Sequence, residues 1–114
     1  MKAQYNCIVQ ERHLPEQLRP ELIAGLKQAT SDVLAIPTNE VEVAFRDIPH
    51  GDGWRGGELS TTSLVRGTIP PGCEQPVREQ LLRTICAMWS RITGCDEDEV
   101  VVSAVDSDYV SKVY

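Results

Sequence analysis

Residues 40–59 read EVEVAFRDIPHGDGWRGGEL, a β-branched run that breaks into a proline and glycine turn and ends on paired glycines. Val41, Val43 and Phe45 alternate with polar neighbours, which predicts a strand. Pro49, Gly51, Gly53 and the Gly56-Gly57 pair predict a turn after it, because glycine supplies backbone angles other residues avoid and proline cannot continue a ladder. A strand so sharply punctuated constrains the chain on both sides of it.

Upstream, Ile36-Pro37-Thr38 stops a helix, and Leu18, Leu22, Leu26, Ala29 and Val33 recur at steps of four, four, three and four. That spacing places them on one stripe of a helix from about Pro15 to about Leu34, with Pro20 expected to kink it or loosen its first turn. Before it, residues 4–9 (QYNCIV) alternate as a strand beginning almost at the N-terminus. Downstream the order returns: a strand over Thr62–Ile69, a turn at Pro70-Pro71-Gly72, a helix striped by Val77, Leu81, Ile85, Met88 and Ile92 and closed by Gly94, and a last strand over Val100–Val105.

The two halves are more than similar in outline. A shift of 59 carries each stripe position of the first helix onto one of the second, from Leu18 onto Val77 through Val33 onto Ile92, and takes Glu40, Val41, Val43 and Asp47 onto Glu99, Val100, Val102 and Asp106. Such an offset marks a duplicated βαβ unit. Right-handed crossovers make the strands within each unit parallel and place both helices on one face of the sheet. The expected fold is α+β: two βαβ repeats, about 3–57 and about 58–114, joined in a four-stranded mixed sheet within a single domain spanning 1–114. The other sheet face is then bare. Depending on register it includes many of Val41, Val43, Phe45, Leu64, Val100 and Val102 or their neighbours, and an apolar face of that size predicts an oligomer.

Composition narrows the functional classes. Eleven basic residues against seventeen acidic ones give a net charge of −6, which argues against nucleic acid and anionic membrane surfaces as partners. No apolar run has the length of a membrane span and MKAQYNCIVQ lacks a signal peptide's apolar core, so a cytoplasmic location is expected. Cys7, Cys73, Cys86 and Cys95 form no C-x-x-C pair and only His13 and His50 accompany them; neither a metal nor another cofactor is expected, and the thiols read as reduced and mostly buried.

The two βαβ halves, the strand starting at the N-terminus and the segment Gly53-Trp54-Arg55-Gly56-Gly57-Glu58-Leu59 together resemble the tautomerase superfamily. The glycine turn is similar to that of oxalocrotonate tautomerase. The length and second half look more like the cis-3-chloroacrylic acid dehalogenases, malonate semialdehyde decarboxylases and the macrophage migration inhibitory factor group. The resemblance covers essentially the whole chain and implies a homotrimer whose sheets surround a central axis, with pockets near the strand starts and subunit boundaries. It also implies a tail, Asp106 to Tyr114, packed on a neighbouring subunit.

Family chemistry resides in an N-terminal proline, a secondary amine whose pKa falls in an apolar pocket so that it serves as base or acid. At its place this chain has Ala3, whose nitrogen is an amide, and Lys2 is expected to protect Met1 from removal. Where the dehalogenase-like and decarboxylase-like members place substrate-gripping arginines, the resemblance finds Pro70 and Cys73. The dehalogenase histidine falls on Thr30, its last-strand tyrosine on Ser103, and an arginine of the short tautomerases on Glu42, with the charge reversed.

The resemblance also places Arg12 and His13, in the loop after the first strand, near a substrate arginine of the short members; they are a candidate carboxylate clamp or simply a solvated loop. Arg66, at the close of the third strand, is a candidate for the same pocket. Cys73 precedes the second helix, where a thiolate is favoured, but with neither histidine adjacent in sequence to act as base, ordinary packing or a neutral cap is the favoured reading. His50 and Asp52 sit in the turn. Trp89 borders the apolar stripe and reads as core or interface, whereas Trp54 reads as flanking a pocket or a subunit boundary.

The substrate-binding candidates are therefore Arg12, His13, Glu42, Arg66, Cys73 and Ser103, with no catalytic residue assigned. The functional expectation is a superfamily homologue with a small-molecule pocket, inactive or weakly active. Its alternatives are an enzyme acting on small keto, enol or unsaturated acids through a different base, and a subunit partnered by a related, proline-bearing chain.

Overall fold

The computed structural model describes residues 2–10, 14–49, 52, 54–55, 57–59 and 61–109. Strand β1 (Ala3–Gln10) leads through a 3-10 turn into helix α1 (Arg19–Leu34) and strand β2 (Val41–Ile48); a short ribbon of β3 (Trp54–Arg55) and β4 (Glu58–Leu59) follows. Strand β5 (Ser63–Ile69), helix α2 (Gln75–Thr93) and strand β6 (Val100–Asp106) complete the second half. The main sheet has the order β2-β1-β5-β6. Its outer pairs are parallel and its central pair antiparallel, the mixed four-stranded sheet expected from the duplicated βαβ unit.

The first helix starts later than its apolar stripe indicates. Residues Glu16–Leu18 form a 3-10 turn, and Leu18 is the residue before α1. Pro20 is therefore the second residue of α1 and makes no interior kink, because the first four amides of a helix have no intrahelical acceptor. Pro76 occupies the same place in α2. Both helices end on a left-handed residue, Ala35 at φ 57 and Gly94 at φ 77, whose amides donate to the carbonyls of Ser31 and Ser90.

Pairing reveals a one-residue difference between the halves. Ala3 pairs with Val41 and Ser63 with Val100, so the offset is 60 for the first strand of each unit and 59 thereafter. Counted between equivalent positions, the path from β5 to α2 is one residue shorter than that from β1 to α1. The ion pair Arg19–Asp47 recurs as Arg78–Asp106 at the 59-residue offset.

The core lies between the helices and one sheet face. Tyr5, Cys7, Val9, Val41, Val65 and Val100 supply the sheet side, and Leu22, Leu26, Leu81, Ile85 and Trp89 the helix side. Gly67 gives the Tyr5 ring its place: a Cβ on Gly67 would stand 2.7 Å from the ring's Cε1. The Tyr5 hydroxyl and Thr30 Oγ1 are 2.7 Å apart, and Thr30 Oγ1 also donates to the Leu26 carbonyl at 2.7 Å.

Register decides the composition of the open face in favour of the neighbours. Val41, Val43, Phe45, Val100 and Val102 pack beneath the helices, while their neighbours, together with Leu64, turn outward. One cross-sheet row reads Ala44, Asn6, Arg66, Ser103; the next reads Arg46, Ile8, Leu64, Val101. The face is a mixture of apolar and charged groups, with Val101 51% and Val105 42% exposed. No described helix is long and apolar enough to cross a membrane.

Candidate functional site

Because β1 and β5 run antiparallel, with Gln4 opposite Thr68, the start of β1 lies beside the end of β5. A pocket of about 390 Å³ is lined by the end of α1 (Val33, Leu34), by Ile36, and by Pro70, Cys73 and Glu74 of the connection that follows β5. Proline at 70 and 71 and the left-handed Gly72 (φ +92) turn the chain out of the sheet and back towards α2. The wall is thus mainly aliphatic and pyrrolidine surface, with Glu74 the charged group among the described lining residues.

Arg78, one residue beyond the lining Val77, does not offer its guanidinium to this pocket as a free cation. It donates to the Ala104 carbonyl at 2.7 Å, the Cys73 carbonyl at 3.3 Å and the Asp106 carboxylate at 2.8 Å. These bonds tie the connection after β5 to the end of β6, and Ser107 N–H adds a bond to the Ile69 carbonyl at 2.8 Å. Arg78 therefore shapes the pocket from behind.

The structure distributes the sequence-derived candidates between two places. Cys73 lines the pocket, half-buried, its thiol 3.6 Å from the Glu74 carbonyl it faces as donor. Arg66 and Ser103 are cross-strand partners on the open sheet face, Arg66 lying mid-strand and not at the strand's close. Glu42 is on the same face in the edge strand β2 and accepts from Gln4 Nε2 at 3.0 Å. Arg12, His13 and His50 lie outside the described residues. Asp52 and Trp54 are exposed, Trp54 at 65%.

Ala3, at the head of β1, is buried at 1% exposure. Thr30 is fully buried in the Tyr5 hydrogen bond. All four cysteines are free thiols; Cys7 is buried, whereas Cys73, Cys86 and Cys95 are only partly so. Burial pushes the Cys7 thiol up to about 12. Cys86 is also raised, by burial first and then by the nearby Glu97. Among the described residues no group of three or more His, Cys, Asp or Glu is arranged to hold a metal.

Sequence reasoning did not find the pocket's aliphatic wall. Val33, Leu34 and Ile36 read only as the end of a helical stripe, and their joint exposure to one cavity depends on the later turn at 70–74. The proline pair followed by glycine was the available signal.

No protein-family model and no curated protein sequence matches the chain. Solved structures do. The native Ps01740 crystal structure superposes with a TM-score of 0.85 at 29% identity, over 90% of this chain and 92% of that one. A fused 4-OT wild-type symmetric trimer gives 0.83 at 18% identity, over 90% and 84%. A member of the cis-3-chloroacrylic acid dehalogenase family gives 0.86 at 17% identity, over 90% and 73%. Two βαβ units offset by 59 residues, a β2-β1-β5-β6 sheet and these superpositions make the fold that of the tautomerase superfamily.

Proposed function

We propose that the chain is a tautomerase-superfamily homologue that binds a small organic molecule in the pocket between α1 and the connection after β5, with little or no proline-type catalysis. The observation that carries this reading is the residue at the head of β1. Ala3 is buried and its nitrogen is an amide, so it has no basic lone pair to take a proton from a substrate. The lining supports the same view: Pro70 and Cys73 stand there, and Arg78 is held by Asp106 and two carbonyls. An apolar pocket with one carboxylate suits a compact, largely uncharged ligand.

The proposal includes a cytoplasmic homotrimer. Its support is the open face, where Ile8, Leu64 and Val101 form an apolar row, and the trimers among the similar structures. Arg66, Ser103 and Glu42 then belong to subunit contact as much as to a ligand. Light scattering at micromolar concentration checks this, and a monomer overturns the assembly.

The activity test is an assay of phenylenolpyruvate ketonisation and of hydration of small acetylenic acids. The natural chain is compared with a variant that lacks Met1 and Lys2 and carries Ala3→Pro. Little or no turnover is expected from the natural chain. Turnover near that of ordinary members of the superfamily would refute the reading and favour an enzyme working through a different base.

A further inference from the structure

The duplication sets a second cavity opposite the first. One unit's strand start lies at each end of the sheet, because β1 and β5 are antiparallel. At the far end a cavity of about 170 Å³ is lined by Thr61, Ser63, Thr93, Cys95 and Glu99 against Leu14 and Trp89. Ser63 is the register equivalent of Ala3, each pairing with the first residue of its partner strand. The 59-residue offset carries Leu34 and Ile36 of the first pocket onto Thr93 and Cys95 of this one. The same architectural position is thus aliphatic at one end and polar at the other.

We propose that this cavity is a second binding site, specific for a small primary ammonium compound such as a short amino alcohol. The volume admits roughly five or six non-hydrogen atoms, at about 30 Å³ for each water-sized group. Among the described lining residues Glu99 carries the charge, and it is half-buried, so the site favours a cation. Thr61 Oγ1 donates to Glu99 Oε2 at 3.3 Å and orients the carboxylate. Thr93 is already committed: its hydroxyl donates to the Trp89 carbonyl at 2.8 Å and accepts from the Cys95 amide at 3.3 Å. It therefore fixes the wall and leaves the carboxylate and the Ser63 hydroxyl as acceptors for an ammonium with three N–H donors. Leu14 and Trp89 supply the apolar side for the ligand's methylenes.

The site can be tested by fluorescence in the whole 114-residue chain. The protein has two tryptophans, so Trp54→Phe leaves Trp89 in the cavity wall as the reporter. Titration with 3-aminopropanol is expected to give a saturable change, whereas propionate and 1,3-propanediol give none. Glu99→Gln is expected to weaken the amine about tenfold, since a hydrogen bond to a charged group is lost. Cys73→Ser, in the first pocket, is expected to leave the titration unchanged.

Backbone NMR of the unsubstituted chain locates the event independently of any variant's folding: amide shifts should move at 61–63 and 93–99 and stay fixed at 70–77. Absence of saturation, equal response to the three compounds, undiminished binding by Glu99→Gln in a folded protein, or shifts confined to 70–77 each overturn the proposal. Because these readouts concern a different cavity, they stand whatever the outcome of the turnover assay.

Discussion

Arg78 and Asp106 form a half-buried ion pair, 2.8 Å apart, that closes the second βαβ unit as Arg19 and Asp47 close the first. The two pairs differ in what else the guanidinium does. Arg78 reaches two backbone carbonyls, of Ala104 and Cys73. Arg19 lies 5.2 Å from the centroid of the Phe45 ring, and the residue equivalent to Phe45 in the second half is Ala104. A carbonyl bond has replaced a cation–π contact at the same position.

Removal of these guanidiniums is expected to destabilise the fold to different extents. Arg78→Ala loses a carboxylate partner and leaves two carbonyls without their donor, and should cost about 2–3 kcal/mol. Arg19→Ala gives up one ion pair and the ring contact and should cost about 1–2 kcal/mol. Urea midpoints of the two variants check the order, and the Arg78 variant should also loosen the pocket-forming connection at 70–74.

A stabilising substitution is expected at Ala35. Its φ of 57 puts an alanine Cβ in a conformation that costs roughly 1 kcal/mol, while Gly94 fills the equivalent helix end without that penalty. Ala35→Gly should raise stability by about 0.5–1 kcal/mol, and Gly94→Ala should lower it by a similar amount. Thermal unfolding of both variants checks the opposite signs.

High pH should unfold the protein through its core. Burial raises Cys7 from 9.0 to about 12, and Tyr5 is raised from 10.0, by burial before all else. For both groups the folded state holds the proton more tightly than the unfolded chain. Their contribution is complete below pH 9 and is lost as the unfolded chain ionises while pH climbs towards 12. Stability measured from pH 8 upward should fall across that window. Cys7→Ala should flatten the first part of the fall, although it also lowers the plateau by opening a small cavity.

Much of the fold was legible because the helical stripes are clean. Leu22, Leu26, Leu81 and Ile85 announce both buried faces, and the 59-residue offset follows from them. Strand orientation was harder to read. Valines occupy both faces of β6, so Val100-Val101-Val102 gives no alternation, and the 60-residue offset of β1 and β5 becomes visible only through Ala3–Val41 and Ser63–Val100 pairing. Pro20 looked disruptive because the 3-10 turn before α1 has no periodic signature.

The sites were less legible than the fold. Cys73 could be placed beside α2 from its sequence neighbours, but the aliphatic wall opposite it comes from residues some forty positions earlier. The far cavity gathers Thr61 from the connection before β5, Thr93 from the end of α2 and Glu99 from the turn before β6, and each residue alone suits a strand edge or a helix end.

The antiparallel centre of the sheet has a consequence for how this protein diversifies. Two identical short chains paired across β1 and β5 would be obliged to present the same groups at both ends, so any change of one cavity would be copied into the other. Covalent continuity removes that obligation. Ile36 and Cys95, or Leu34 and Thr93, occupy equivalent structural positions yet can change separately, so one polypeptide can line its two cavities independently while a common pair of ion bridges keeps the frame.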